Sequence, residues 1–289
     1  PHIVHSYAEH LASLLKDHEA TKSGLVFDCA HGAAGTVMPT LIERLNAAWR
    51  LIGADPDGMN INEGVGVMHM RHIGNCVTDF GCRIGFAFDG DADRLGVVDE
   101  HGTVIFGDRL MALYWAEILK ARPGTEAIVE PKCSMALPEE IERLGGRVLF
   151  WKSGHSVIKA KMREIDALFS GEVSGHMFFA DEFFGFDDAF YAAGRLLRIL
   201  SNTDKSLSDL IAEMPSYPST AETRFSCPDE LKFDIVERVR DAATKERETV
   251  TVDGVRIIHE NGWSLLRASN TQPVLVARCE GRTQRDLEM

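Results

Sequence analysis

The chain has 289 residues, 45% of them hydrophobic, and a net charge of −13 from 44 acidic and 31 basic side chains. That is enough apolar material for two or three cores, and the acidity excludes nucleic acid and anionic membranes as partners, since both need a basic face. No apolar run approaches the roughly 18 residues of a membrane helix, and no signal peptide is visible. Cys29, Cys76, Cys82, Cys133, Cys227 and Cys279 form no C-x-x-C pair. They read as buried thiols of a reducing compartment, with the cytoplasm as the expected location, and not as a disulfide framework or zinc site.

In chain order, Leu25–Asp28 reads as a strand, and a glycine-bracketed turn leads into a helix over Val37–Leu45. His69–Gly81 reads as a helix, Ile84–Phe88 as a buried strand and Leu95–Asp99 as another strand. The alternation then restarts. Gly107–Arg122, Met135–Leu144 and Gly154–Ile165 read as helices between strands at Ala127–Val129, Arg147–Trp151 and Ala167–Ser170, followed by a long helix over Asp187–Leu200. Such alternation implies α/β layers. Pro215 and Pro218 mark a break, beyond which one helix (Asp229–Lys245) among strand-like runs suits a small α+β domain. The expected fold class is therefore α/β: two tandem related α/β domains with mixed sheets (residues 1–103 and 104–218) and a small α+β C-terminal domain (219–289). The chain starts at Pro1 and stops at Arg285–Met289, which resembles the first turn of an unfinished helix. The expectation is a chain trimmed at both ends.

The chemistry concentrates first in the segment FAFDGDADRLGVV, where Asp89, Asp91 and Asp93 alternate directly behind a buried strand. Strand C-termini are where α/β sheets place ligands, and hard oxygens at this spacing suit Mg²⁺ or Ca²⁺. An EF-hand would need a sharply turning sixth position, usually Gly, where Arg94 stands here. A haloacid-dehalogenase-type phosphatase would resemble D-x-D-x-T/V, but Asp93 occupies the Thr/Val position. A solvated acidic turn is the bland alternative. Gly171-Glu-Val-Ser-Gly-His176 is a flexible loop whose Glu172 and Ser174 suit paired hydrogen bonds to vicinal sugar hydroxyls. Arg267-Ala-Ser-Asn-Thr271 offers a guanidinium, hydroxyls and an amide in one turn, which suits a phosphate dianion.

Taken in this order, D-G-D-A-D-R, G-E-V-S-G-H and R-A-S-N-T-x-P resemble the metal, sugar and phosphate loops of the α-D-phosphohexomutases. Lys152-Ser-Gly-His155 and Pro131-Lys132-Cys133 fit the family's third-domain pattern. The resemblance spans essentially the whole chain and covers domains two, three and four of a four-domain fold. It implies a mutase that interconverts hexose 1-phosphate and 6-phosphate through a hexose 1,6-bisphosphate, with phosphoserine as donor. It further implies Asp89, Asp91 and Asp93 as Mg²⁺ ligands, and Arg94, Lys132, His155 and His176 as catalytic groups. Glu172 and Ser174 would then bind sugar hydroxyls, while Arg267, Ser269, Asn270 and Thr271 would clamp the non-reacting phosphate.

No Thr/Ser-rich loop ending Ser-His-Asn-Pro occurs in these residues. The resemblance thus implies that the nucleophile belongs to an N-terminal domain that would pack against this chain, and that the chain alone is inactive. G-E-V-S-G-H resembles the G-E-M-S-G-H of phosphomannomutase/phosphoglucomutases more than the G-E-Q-S-G-H of phosphoglucosamine mutases. Asp57-Gly-Met-Asn-Ile-Asn62 also suits the latter, and a non-catalytic sugar-phosphate-binding remnant is a further alternative.

Overall fold

The structure is a computed structural model that describes residues 2–14, 24–43 and 48–289. It opens with α1 (His2–Leu14), β1 (Leu25–Asp28), α2 (Ala34–Ile42), β2 (Trp49–Ile52), α3 (Met70–Asp79), β3 (Ile84–Phe88), β4 (Leu95–Val98), β5 (Val104–Ile105) and α4 (Gly107–Ala121). There follow β6 (Glu126–Val129), α5 (Ala136–Arg143), β7 (Arg147–Phe150), α6 (His155–Ile165), β8 (Phe169–Gly171), β9 (Met177–Phe179), α7 (Ala189–Ser201) and α8 (Leu207–Ala212). The remainder runs β10 (Thr223–Ser226), α9 (Asp229–Ala243), β11 (Thr249–Val250), β12 (Val255–His259), β13 (Gly262–Ala268), β14 (Val274–Gly281) and α10 (Gln284–Glu288). The chain divides into two compact units, one of Pro1–Arg122 with Leu168–Glu213 and one of Pro123–Ala167 with Met214–Met289. This is the mixed α/β class expected from the sequence, with a separate antiparallel sheet near the C-terminus.

In the first unit the sheet order is β2-β1-β3-β4-β5, with β1 parallel to β2 and β3, and β4 antiparallel to both its neighbours. All positions of β1 and β3 are buried, because helices cover both faces. On one face Val26, Ala87 and Val98 pack with Ile73 and Val77 of α3. On the other, Phe27 and Phe88 meet Met38 and Leu41 of α2 and Phe190 and Leu197 of α7, with the Phe88 and Phe190 ring centroids 4.8 Å apart. Double-sided burial explains why IGFAF reads as a continuous apolar run and not as an alternating one. Gly85 lets α3 approach, since a Cβ there would stand 2.7 Å from Val98 and 2.8 Å from Val77.

Helices α4 and α7 are joined through a buried charge cluster. Arg195, 1% exposed, donates to Glu117 Oε2 from Nη2 at 2.6 Å and to Asp181 Oδ1 from Nη1 at 2.9 Å. Arg198 adds bonds to Glu117 and Glu182. Helix α7 begins where Asp188 Oδ1 accepts from the Tyr191 amide at 2.9 Å, a side-chain N-cap. Removing Arg195 takes the guanidinium from the mostly enclosed Asp181 and leaves Glu117 to Arg198 alone. We expect Arg195→Met to cost about 3–5 kcal/mol, measured by urea denaturation of the chain; a loss below about 1 kcal/mol would show the cluster to be energetically idle.

In the second unit an antiparallel sheet, ordered β10-β14-β13-β12-β11, carries α9 on one face. The parallel pair β6–β7 belongs to the same unit. Arg256, 2% exposed, reaches from β12 to donate to the Pro131 and Cys133 carbonyls at 2.8 and 2.7 Å. Its guanidinium lies 4.0 Å from the Trp263 ring centroid. Glu280 Oε1 accepts from Trp263 Nε1 at 2.8 Å and from the Met135 amide at 2.7 Å. Arg278 donates to the Lys132 carbonyl at 2.9 Å. Side chains from β12 and β14 therefore hold the 131–135 turn at Pro131, Lys132, Cys133 and Met135.

Candidate functional site

Strand β3 ends at Phe88 and delivers Asp89, 1% exposed, to the sheet edge of the first unit. Asp89 Oδ1 accepts from the Asp93 and Arg94 amides at 3.2 and 3.1 Å, while Oδ2 accepts from Arg94 Nε at 2.5 Å. The loop closes through Ala92, whose φ of +64° is unusual for a residue with a Cβ. One carboxylate oxygen each from Asp89, Asp91 and Asp93 lie within 4.8 Å of one another. Burial raises the Asp93 carboxyl above the usual range, and the charges of Asp89, Asp91 and Asp187 act in the same direction, with His176 opposing them. Clustered hard oxygens in mutual repulsion, on a backbone pinned by its own hydrogen bonds, fit a small divalent cation such as Mg²⁺.

Glu172–His176 closes the β8–β9 hairpin in the same unit, with bonds from the Glu172 amide to His176 O at 2.9 Å and from the Gly175 amide to Glu172 O at 3.0 Å. This loop meets the carboxylate loop backbone to backbone. The Leu95 amide donates to Gly175 O at 3.0 Å, and Arg94 bridges His176 in antiparallel fashion. Gly175 is required there: its φ is +103°, and a Cβ would stand 2.6 Å from Leu95 O.

The side chains converge at the same junction. His176 Nε2 is 3.3 Å from Asp93 Oδ1, and Nδ1 is 3.2 Å from Glu172 Oε2 and 3.1 Å from Ser174 Oγ. Glu172 and Ser174, expected to face sugar hydroxyls, are thus turned onto the imidazole. Asp187 forms a second cluster with Asp93 and His176; the sequence reading used it only to start a helix.

The second unit holds Lys132, His155, Arg267, Ser269, Asn270 and Thr271. Lys132 Nζ lies 3.3 Å from Oε2 of the fully buried Glu130. His155 begins α6 behind Gly154, whose φ is +124°. Arg267 ends β13, and Ser269 Oγ accepts from the Thr271 and Gln272 amides at 3.3 and 3.1 Å, shaping the turn into β14. Lys232, 4% exposed, donates to Gln272 O at 3.0 Å. Asp253 touches both the Arg267 guanidinium and the Ser153 amide. Sequence reading missed Lys232, Asp253 and Arg256, although one charged residue amid the apolar Val255–Ile258 was a visible sign of a buried partner.

Burial lowers the His176 imidazole, but the hydrogen bond it donates to Glu172 and the charges of Asp93, Glu172 and Asp187 outweigh it, so the net shift is upward. The stability this proton contributes is complete below the ordinary histidine value of about 6.5 and is lost as pH rises through the higher folded value. In metal-free chain kept in chelator, NMR titration is expected to place His176 above that ordinary value and Glu172→Gln to lower it. A parent value at or below it would contradict the geometry.

Comparison with known proteins gives three successive matches along the chain. Residues 5–102 match "Phosphoglucomutase/phosphomannomutase, alpha/beta/alpha domain II", residues 106–217 match domain III, and residues 222–289 match the C-terminal domain. The chain is 42% identical to a phosphomannomutase/phosphoglucomutase of Pseudomonas putida over 273 residues, 93% of this chain and 59% of that protein. It is 34% identical to a phosphoglucomutase of Neisseria meningitidis serogroup A over 288 residues, 98% of this chain and 62% of that one. A crystal structure of a phosphoglucomutase/phosphomannomutase family protein from Burkholderia thailandensis superposes with a TM-score of 0.89 at 34% identity, covering 99% of this chain and 62% of its own. The chain spans about three fifths of the length of these relatives. With its three segments matching domains II, III and IV in order, the chain belongs to the phosphoglucomutase/phosphomannomutase family.

Proposed function

We propose that the protein to which these residues belong interconverts hexose 1-phosphate and hexose 6-phosphate, of mannose, glucose or both, through a hexose 1,6-bisphosphate. The observation that carries this reading is the backbone joint between the carboxylate loop and the Glu172–His176 loop. It brings Asp89, Asp91 and Asp93 into one corner with Glu172, Ser174 and His176, which supports a cation and a sugar being held side by side. The names of the relatives, which include both mannose and glucose enzymes, support the substrate class. The assignment divides the chain into domains of residues 1–103, 104–218 and 219–289. No helix among the described residues is long and apolar enough to cross a membrane, and a cytoplasmic enzyme is the reading proposed.

Mg²⁺ held by Asp89, Asp91 and Asp93 would offset negative charge on the transferring phosphoryl group. Arg94, anchored through Asp89, would stand beside that group as a second positive charge. Glu172 and Ser174 would exchange their contacts with His176 for vicinal sugar hydroxyls. His176 would then take the proton of the attacking hydroxyl and return it in the reverse direction, with His155 as the other candidate. Lys132 would add positive charge near the reacting end. Arg267, Ser269, Asn270 and Thr271 would hold the phosphate that is not reacting, so that either end of the bisphosphate can be presented.

The phosphoryl donor would be a phosphoserine outside these residues, on an N-terminal domain that packs against this chain. A phosphoglucosamine mutase and a non-catalytic sugar-phosphate-binding remnant are the other readings. The 289 residues alone are expected to give no mutase turnover, whereas a longer protein carrying them behind such a loop should convert mannose 1-phosphate and glucose 1-phosphate faster than glucosamine 1-phosphate. Turnover preferring glucosamine 1-phosphate, or none with any sugar, would refute the assignment. In that longer protein Arg267→Ala should raise KM about 10–100-fold, the value of one charged hydrogen bond, in both reaction directions.

A further inference from the structure

The phosphate-directed Arg267 and the loop that carries His155 share one anchor that neither motif contains. Oδ2 of Asp253 lies 3.3 Å from Arg267 Nη2 and accepts from the Ser153 amide at 3.3 Å. Both charged side chains are only 15% exposed. We propose that Asp253 is a positioning residue for anion binding in the second unit: one carboxylate oxygen fixes the Arg267 guanidinium and ties it to the Lys152–His155 loop. The proposal rests on the reading of Arg267 as the phosphate clamp.

The placement is enforced by the backbone. Val255 pairs with Leu266 at the start of the β12–β13 ladder, so the turn before it lies opposite Arg267. Gly254 permits that approach: its φ is +79°, and a Cβ would fall 2.4 Å from Leu266 O and 2.7 Å from Arg267 Cβ. Asp253 is therefore held against Arg267 by the ladder itself.

An exposed pair of this length would contribute little. Here the carboxylate is mostly enclosed and its second contact is an uncharged amide, an arrangement that fixes direction more than it neutralises charge. A guanidinium offers five N–H donors in a planar fork. Holding Nη2 on a fixed carboxylate removes the rotamer search that a long side chain otherwise makes before capturing an anion, which lowers the entropy lost on binding. The same oxygen fixes the backbone next to Gly154, whose φ of +124° sets the start of α6 and hence the location of His155. Capture of the distal phosphate and location of the imidazole are thus referred to one point.

Two measurements test this. In the longer, active protein, Asp253→Ala should raise KM for hexose 1-phosphate about tenfold with kcat changed less than KM, and Asp253→Asn, which still accepts from Ser153, should fall between. In an Arg267→Ala background the Asp253→Ala change should raise KM no further, because its effect on anion capture acts through that arginine; full additivity in KM would overturn the proposal. In the 289-residue chain, hydrogen exchange by NMR at the Ser153 amide and at Arg267 Nη2 should speed at least tenfold in Asp253→Ala, or in Asp253→Asn at Arg267 alone. Unchanged exchange at Arg267 in both variants would overturn the proposal whatever the enzyme does. Faster exchange with no mutase activity in the parent protein would count against the mutase reading and leave the positioning role standing.

Discussion

Repulsion among three carboxylates governs the first unit. Asp89, Asp91 and Asp93 follow a strand buried on both faces, so the chain cannot splay to separate them without unpacking β3. Arg94 and His176 supply the positive charge present in the chain itself, the first through Asp89 and the second through Asp93. That requirement draws the Glu172–His176 loop onto the carboxylate loop and explains the glycine at 175, where the two backbones touch. In the proposed function, a cation entering the cluster would take over part of the work of His176. It would thereby weaken the pull that holds the imidazole charged and free Glu172 and Ser174 to face a sugar.

The second unit solves a different problem, tying several short loops to one antiparallel sheet. Arg256, Arg278 and Glu280 reach from the antiparallel sheet to the backbone of residues 131–135, and Asp253 reaches to residue 153. The loops are gripped at their carbonyls and amides, so their outward side chains are left for chemistry. Such bonds to backbone groups are insensitive to which side chains the loops display. A clasp of this type lets the loops change sequence without losing position.

Much of this was legible in the sequence, for identifiable reasons. β1, β3 and β4 are read within a residue because double-sided burial leaves long apolar runs, and α4 within one residue and α9 within two because they show helical periodicity. The helix expected at Val37–Leu45 instead spans Ala34–Ile42, with residues 44 and 45 outside the described residues. Strand β9 was missed because Met177–Phe179 is too short for a period to show, and β2 because its residues are half exposed. The candidate site residues stood out as compact polar motifs beside glycines. Their partners did not, since Asp187, Asp253 and Arg256 act from other elements and only the fold brings them close. The hydrogen bonding of Glu172 and Ser174 to His176 was equally beyond local pattern, since it depends on the curl of a five-residue loop.

The carboxylate loop is proposed as a divalent-cation site to which this chain contributes Asp89, Asp91 and Asp93. Isothermal titration of Mg²⁺ into the chelator-treated 289-residue chain measures it most directly, with Asp89→Asn and Asp93→Asn as comparison proteins. The account predicts one Mg²⁺ per chain, with each variant binding at least tenfold more weakly while retaining the parent circular dichroism. Equal Mg²⁺ binding by the parent and both variants would contradict it.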